Sequence, residues 1–196
     1  MINSILAAVL LLSQVQAADL PGNFTLNKTG DNLCFAAKFD LVLNVEYLKL
    51  DGKKNTSRIP LTNETFSYYN GSCFADKSHV LNIYMFDSLT SITFNFILNE
   101  KNQSSLSSVQ ASINVEKDSP YFVNHTRDVE TVIVFTANES LFSTDRAYSY
   151  RCNSRTKIDN FRTDKNLTIK SIDLENLRVQ PFVNESIPFH DYATGS

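Results

Sequence analysis

The stretch CFAAKFDLVLNVEY alternates. Ala37, Phe39, Leu41, Leu43, Val45 and Tyr47 fall on one parity, Lys38, Asp40, Asn44 and Glu46 on the other, and only Val42 is out of step. Successive side chains of an extended chain point to opposite sides, so this spacing predicts a half-buried strand. VQASINV repeats the pattern with Val109, Ala111, Ile113 and Val115 inward, and SITFNFIL with Ile92, Phe94, Phe96 and Leu98. Weaker alternation predicts strands in VLNIYMF from Val80, VETVIVFT from Val129, NLTIKSI from Asn166 and LRVQPF from Leu177. Pro181 cannot donate a ladder hydrogen bond, so the last strand should lie at an edge or end there. In YYNGSC, Asn70-Gly71 reads as a tight hairpin turn, because that pair readily takes positive φ. No segment sustains the three-and-four apolar spacing of a helix. Eight or more short strands joined by long loops predict an all-β domain of two packed antiparallel sheets.

The amino terminus departs from this pattern. Ile5 to Leu12 is an unbroken apolar run, followed by the small-residue pattern Val15-Gln16-Ala17. A membrane-spanning helix needs about 20 apolar residues, so the run is too short for one. It reads as a secretory signal peptide over residues 1–17, although only the amino terminus supplies its positive charge. Residues 18–196 are then a single luminal or extracellular domain, large enough to bury its own core. Net charge is −3 and the basic residues are dispersed. RTKIDNFRTDK, from Arg155, alternates in sign and reads as a solvated loop or hairpin. No basic face for nucleic acid and no polybasic membrane patch is present in the sequence.

Secretion gives meaning to N-x-Ser/Thr triplets, which become acceptors for N-linked glycans. The mature chain carries them at Asn23, Asn27, Asn55, Asn63, Asn70, Asn102, Asn124, Asn138, Asn166 and Asn184, none blocked by proline. Composition alone predicts about four. Asn accumulating in turns would favour Asn-Gly and Asp-Gly, and among these triplets only Asn70-Gly71 fits. Hydrated glycans from end to end point to a protein selected to survive proteases or to form a coat, and fit poorly with an open catalytic cleft.

Sites for chemistry are sparse. His79, His125 and His190 lie far apart, and none is at metal-ligand spacing from another His or Cys. His125 sits inside the triplet Asn124-His125-Thr126, which favours a surface position. There is no G-x-S-x-G, no H-E-x-x-H and no glycine-rich phosphate loop. Asp40, Glu46 and Asp87 could pair as an acid and a base, but solvated strand faces explain all three. These features predict no enzyme, no metal and no cofactor. Three cysteines remain. Cys34 and Cys73 could pair with each other. Cys152 is then a free thiol, a link to another chain, or half of a disulfide. Arg151 beside it could lower its pKa, but no histidine follows at a diagnostic spacing, and an oxidising compartment favours the structural reading.

NLCFAAKFDLVLNVEY resembles the opening of the luminal domain of the lysosome-associated membrane glycoproteins, a family that includes macrosialin. LNIYMFDSLTSITFNFILNE resembles the family's hairpin of an apolar strand, a short turn and an L-x-F-x-F-like strand. SYRCN from Ser149 is similar to the third cysteine with its preceding tyrosine, and LRVQPF closely resembles the last strand. The resemblance implies a β-prism of two sheets and a Cys34–Cys73 disulfide. It also implies a partner for Cys152 about a dozen residues past LRVQPF, hence beyond Ser196 or lost. A transmembrane anchor and a sorting tail are expected beyond that point. Implied partners are other lysosomal or vesicle membrane proteins, with a homo-oligomer also open. The function implied is a non-enzymatic, glycan-coated luminal domain at the lysosomal or late-endosomal membrane, serving its protective coat, lysosome integrity and trafficking. The alternative is a secreted or cell-surface β-sandwich recognition module for a protein or carbohydrate ligand, with Phe66, Tyr68 and Tyr69 as its local aromatic candidates.

Overall fold

The computed structural model describes residues 22–28, 32–74, 77–115, 119–126, 130–159, 161, 167–183 and 192–194, with backbone alone for 130–140 and 192–194. The expected signal peptide, residues 1–17, lies outside them. The described residues form strands and turns with no helix, and none is therefore long and apolar enough to cross a membrane.

In chain order the strands are β1 (Asn23–Asn27), β2 (Leu33–Leu48), β3 (Lys54–Pro60), β4 (Phe66–Phe74), β5 (Ser78–Met85) and β6 (Thr90–Leu98). They continue with β7 (Gln103–Asn114), β8 (Glu130–Asp145), β9 (Ser149–Cys152), β10 (Thr156–Ile158), β11 (Leu167–Gln180) and β12 (Tyr192–Thr194). The first sheet is built on two long antiparallel strands, β2 and β11, in register from Leu167 opposite Tyr47 to Gln180 opposite Ala36. On the open side of β2, β1 pairs with its first half and β3 with its second. On the other side of β11 lie β9 and β10. The second sheet is the meander β4-β5-β6-β7-β8. Pairing is antiparallel except between β12 and β9, which run parallel.

The expected alternation decides which face each strand buries. Ala37, Phe39, Leu41, Leu43, Val45 and Tyr47 are all buried, as are Val109, Ala111, Ile113 and Val115. Ile92, Phe94 and Phe96 are buried too, but Leu98, at the end of β6, is only partly so; Ile97 keeps the outer parity of Thr93 and Asn95 and is exposed. Aromatic rings fill the space between the sheets: Phe39 meets Phe94 at 5.7 Å and Phe35 meets Phe96 at 5.4 Å between centroids. Phe24 of β1 completes this layer against Phe39 and Tyr69.

Three local expectations are corrected. NLTIKSI and LRVQPF belong to one strand, β11, which crosses an irregularity between Glu175 and Arg178 where Asn176 has φ of 53°. It ends at Gln180, just before Pro181. RTKIDNFRTDK is not all solvated: Thr156–Ile158 forms β10, and Ile158 and Phe161 are buried. Asn70-Gly71 is not a turn. It lies inside β4, opposite Asn82 and Leu81. Glycine is needed there for close approach, since a Cβ would sit 2.1 Å from the Val80 carbonyl oxygen and 2.6 Å from Leu26 Cδ1. Gly71→Ala should therefore cost about 3 kcal/mol through overpacking, measured by denaturant unfolding.

Candidate functional site: glycan acceptors and cysteines

The acceptor asparagines occupy a restricted set of places. Asn23 and Asn27 are on β1, Asn55 on β3, Asn70 on β4 and Asn138 on β8. Asn63 precedes β4, Asn102 lies in the β6–β7 turn and Asn124 between β7 and β8. β1 and β3 flank the first sheet on its β2 side, and β4 and β8 end the second. None of these eight lies on β2, β5, β6, β7, β9 or β11, the strands with neighbours on both sides. Asn27, Asn55, Asn63, Asn70, Asn102 and Asn124 are exposed and Asn23 partly so. Asn102 and Asn124 both take φ of 58°, a region asparagine tolerates better than most residues. Two acceptors are held by neighbours: Asn55 Nδ2 donates to the Tyr47 hydroxyl at 2.8 Å, and Asn70 Oδ1 accepts from Asn82 Nδ2 at 2.9 Å. A glycosylated asparagine keeps one N–H and its carbonyl, so both contacts are compatible with the modification. Asn166 and Asn184 lie outside the described residues.

Cys34, the second residue of β2, is bonded to Cys73 near the end of β4, with 6.4 Å between Cα atoms. The bridge joins one sheet to the other. A third segment closes on it: the Val183 N–H donates to the Cys34 carbonyl at 3.0 Å. His79, opposite Cys73 on β5, is buried, with Nδ1 against the Pro181 carbonyl and its ring 4.2 Å from that of Phe182. It is a packing residue at the end of the core. His125 is half-buried, Nδ1 donating to the Phe122 carbonyl at 2.7 Å. His190 lies outside the described residues.

Cys152 ends β9, opposite Leu177 of β11, and is buried as a free thiol. Its Sγ is 3.2 Å from Ser154 Oγ. The hydroxyls of Ser154 and Thr156 hold it below the usual thiol range, outweighing burial. Burial in turn pushes the neighbouring Tyr150 phenol up. β12 runs alongside, placing Thr194 opposite Arg151.

The carboxylates read from the sequence as solvated, rather than as an acid–base pair, each have other neighbours. Asp40 and Glu46 lie six residues apart on β2, hence about 20 Å along the strand. Asp87 is in the β5–β6 turn. Asp40 accepts from Asn176 Nδ2 at 2.7 Å, whereas Glu46 sits between Lys54 at 2.7 Å and Lys170 at 3.1 Å. Both lysines lower the Glu46 pKa, Lys54 foremost. The acid that matters most was missed: Asp173 is buried on the outer face of β11, bonded to Arg155 and to Asn44 Nδ2 at 2.6 Å. Burial pushes its carboxyl up, but hydrogen bonds from Arg155, Ser171 and Asn44 outweigh it and hold the carboxyl below the usual range. Nothing in the alternation marks Asp173, because the arginine that bonds it lies 18 residues earlier. Among the described residues no group of three His, Cys, Asp or Glu side chains is placed to hold a metal ion.

Residues 12–192 match the family described as lysosome-associated membrane glycoprotein 2-like, luminal domains. The chain belongs to that family. Solved luminal domains share its fold. The membrane-proximal domain of mouse lysosome-associated membrane protein 1 aligns with TM-score 0.68 and 21% identity over 90% of this chain and 98% of that one. The membrane-distal domain of mouse lysosome-associated membrane protein 2 aligns with TM-score 0.68 and 18% identity over 88% and 98%. The human lysosome-associated membrane protein LAMP-3 aligns with TM-score 0.63 and 14% identity over 90% and 99%. No curated protein sequence matches the chain. At such identities the structural likeness speaks for the fold, and the family match for membership.

In this luminal domain Asp173 is the polar group whose loss should be felt most. Its lowered pKa means that its stabilisation is present above the ordinary aspartate value of about 3.9 and is lost as pH falls below that value. Asp173→Asn should cost about 2 kcal/mol at neutral and mildly acidic pH, and the gap to wild type should close only below about pH 4. Urea unfolding across pH checks both.

Proposed function

We propose that this chain is the non-enzymatic luminal part of a lysosomal or late-endosomal membrane glycoprotein. Its work is to present N-glycans around a disulfide-tied β core, contributing to the protective coat of the membrane and to its integrity and trafficking. The observation that carries this reading is the placement of the acceptors. Six of the seven with described side chains are exposed, and they decorate edge strands and turns of both sheets. A glycan must sit on the surface and hinders approach around it. An edge strand is where another chain, or a protease that binds substrate as an added strand, would pair.

The recognition module is favoured by one feature, the absence of charge from four adjacent strands of the second sheet. β4, β5, β6 and β7 contain no Asp, Glu, Lys or Arg. Site-by-site glycopeptide mass spectrometry on protein made in secretory cells separates the readings. The coat requires most acceptors on both sheets to be occupied. Occupancy confined to one sheet, or to two or three sites, would favour recognition.

A further inference from the structure

The uncharged face has a definite layout. Strand register sets Tyr68 opposite Tyr84, and Asn70 opposite Asn82, which is opposite Thr93. Directly opposed residues share a face, so tyrosines form one row across the sheet and amides the next. The amide row is bonded: Asn82 Nδ2 to Asn70 Oδ1 at 2.9 Å and Thr93 Oγ1 to Asn82 Oδ1 at 2.8 Å. Asn70 is thus the acceptor built into this row, held by its carbonyl while its Nδ2 carries any sugar. Tyr68, two residues earlier on the same strand, lies on the same face about 7 Å away. One side of its ring stacks on Tyr84, at 4.4 Å and 16°. Its other side faces away from the sheet, because β4 ends the sheet path, and Tyr68 is 40% exposed.

We propose that the N-glycan of Asn70 is a fixed part of the fold, its first sugars packing on the open face of Tyr68 and lying over the uncharged rows. The proposal rests on the glycosylation put forward above. An N-acetylglucosamine has an apolar ring face, neutral hydroxyls and an acetamide. An aromatic ring backed by a second ring suits the first. Asn, Thr and Gln side chains without a nearby charge suit the others, since no ion has to be desolvated beneath the sugar. Surfaces are ordinarily about a quarter to a third charged. Four adjacent strands with no charge are what a permanent neutral cover would permit. The first sheet, with Lys38, Asp40, Glu46, Arg58 and Lys170, is charged in the ordinary way.

The test is a double-variant cycle in the secreted glycoprotein. Ser72→Ala removes the acceptor triplet and keeps Asn70, and Tyr68→Ala removes the platform. Tyr68→Ala should lower Tm by about 3 °C more when Asn70 is glycosylated than in the Ser72→Ala background. An endoglycosidase cutting between the first two sugars should trim Asn70 about fivefold faster in Tyr68→Ala than in wild type. If Ser72→Ala fails to fold, enzymatic deglycosylation of wild type and Tyr68→Ala supplies the same comparison. Occupied Asn70 with no coupling and unchanged trimming overturns the proposal and leaves the coat standing. Asn70 unmodified while other sites are occupied also overturns it alone. Failure of occupancy throughout overturns the coat as well. A glycosylated dimer that dissociates on Tyr68→Ala would assign the face to a second copy and reject the glycan.

Discussion

The Cys34–Cys73 bridge is the constraint on which the arrangement of the two sheets turns. Each sheet has one apolar face and could be completed by any flat apolar partner. The bridge fixes which ends of β2 and β4 meet. The turn of chain after β11 closes over the same point, through Val183 on Cys34 and through Pro181 and Phe182 on His79. Closing a loop of this length contributes about 4 kcal/mol in the chain-entropy description. The phenylalanines of β1, β2 and β6 then pack between sheets already set in register. Gly71 belongs to the same constraint, since β4 can approach Leu26 and Val80 only where it has no side chain.

How much of this could be read from residues depended on distance along the chain. β2, β6 and β7 were legible because one strand carries its own alternation and Leu41 or Ile113 need no partner to declare a face. The short flanking strands were not. NFTLN and KNTSRIP have little apolar content, and they are strands because β2 offers them a free edge. Asn70-Gly71 misled because the same dipeptide serves a turn by its φ and a strand by its lack of bulk, and only the position of Val80 and Leu26 decides between them. NLTIKSI and LRVQPF looked separate because the irregularity at Asn176 shifts the parity midway through β11.

The site divides in the same way. The acceptor triplets and Cys34, Cys73 and Cys152 are local signals and were all visible. Their arrangement was not. That Asn27, Asn55 and Asn70 lie on edge strands is a property of pairing between distant segments. Asp173 needed Arg155 and Asn44 to become a buried, ion-paired acid. Charge is also unevenly spread: the first sheet carries it in the ordinary way, β4 to β7 carry none, and in the second sheet Glu130, Glu139 and Asp145 are confined to β8. In the acidic compartment proposed for the domain this has a physical consequence. Neutral amides and hydroxyls do not titrate, and Asp173 and Glu46 keep their charge into mildly acidic conditions because both are held below the usual carboxylate range.

Glycans on flanking strands are an economical way to keep such a β domain monodisperse among hydrolases. Edge strands invite pairing, and charge, proline or cover are the usual remedies. In the function proposed here the cover is carbohydrate, and the fold beneath should persist without it. The most direct measurement is therefore the cleavage half-life in lysosomal proteases at acidic pH, for native glycoprotein and for protein deglycosylated while folded. Deglycosylated protein should stay folded yet be cut at least tenfold faster, with early cuts at β1, β3, β4 or β8. Equal half-lives would contradict a protective coat and leave the acceptors without the role assigned to them.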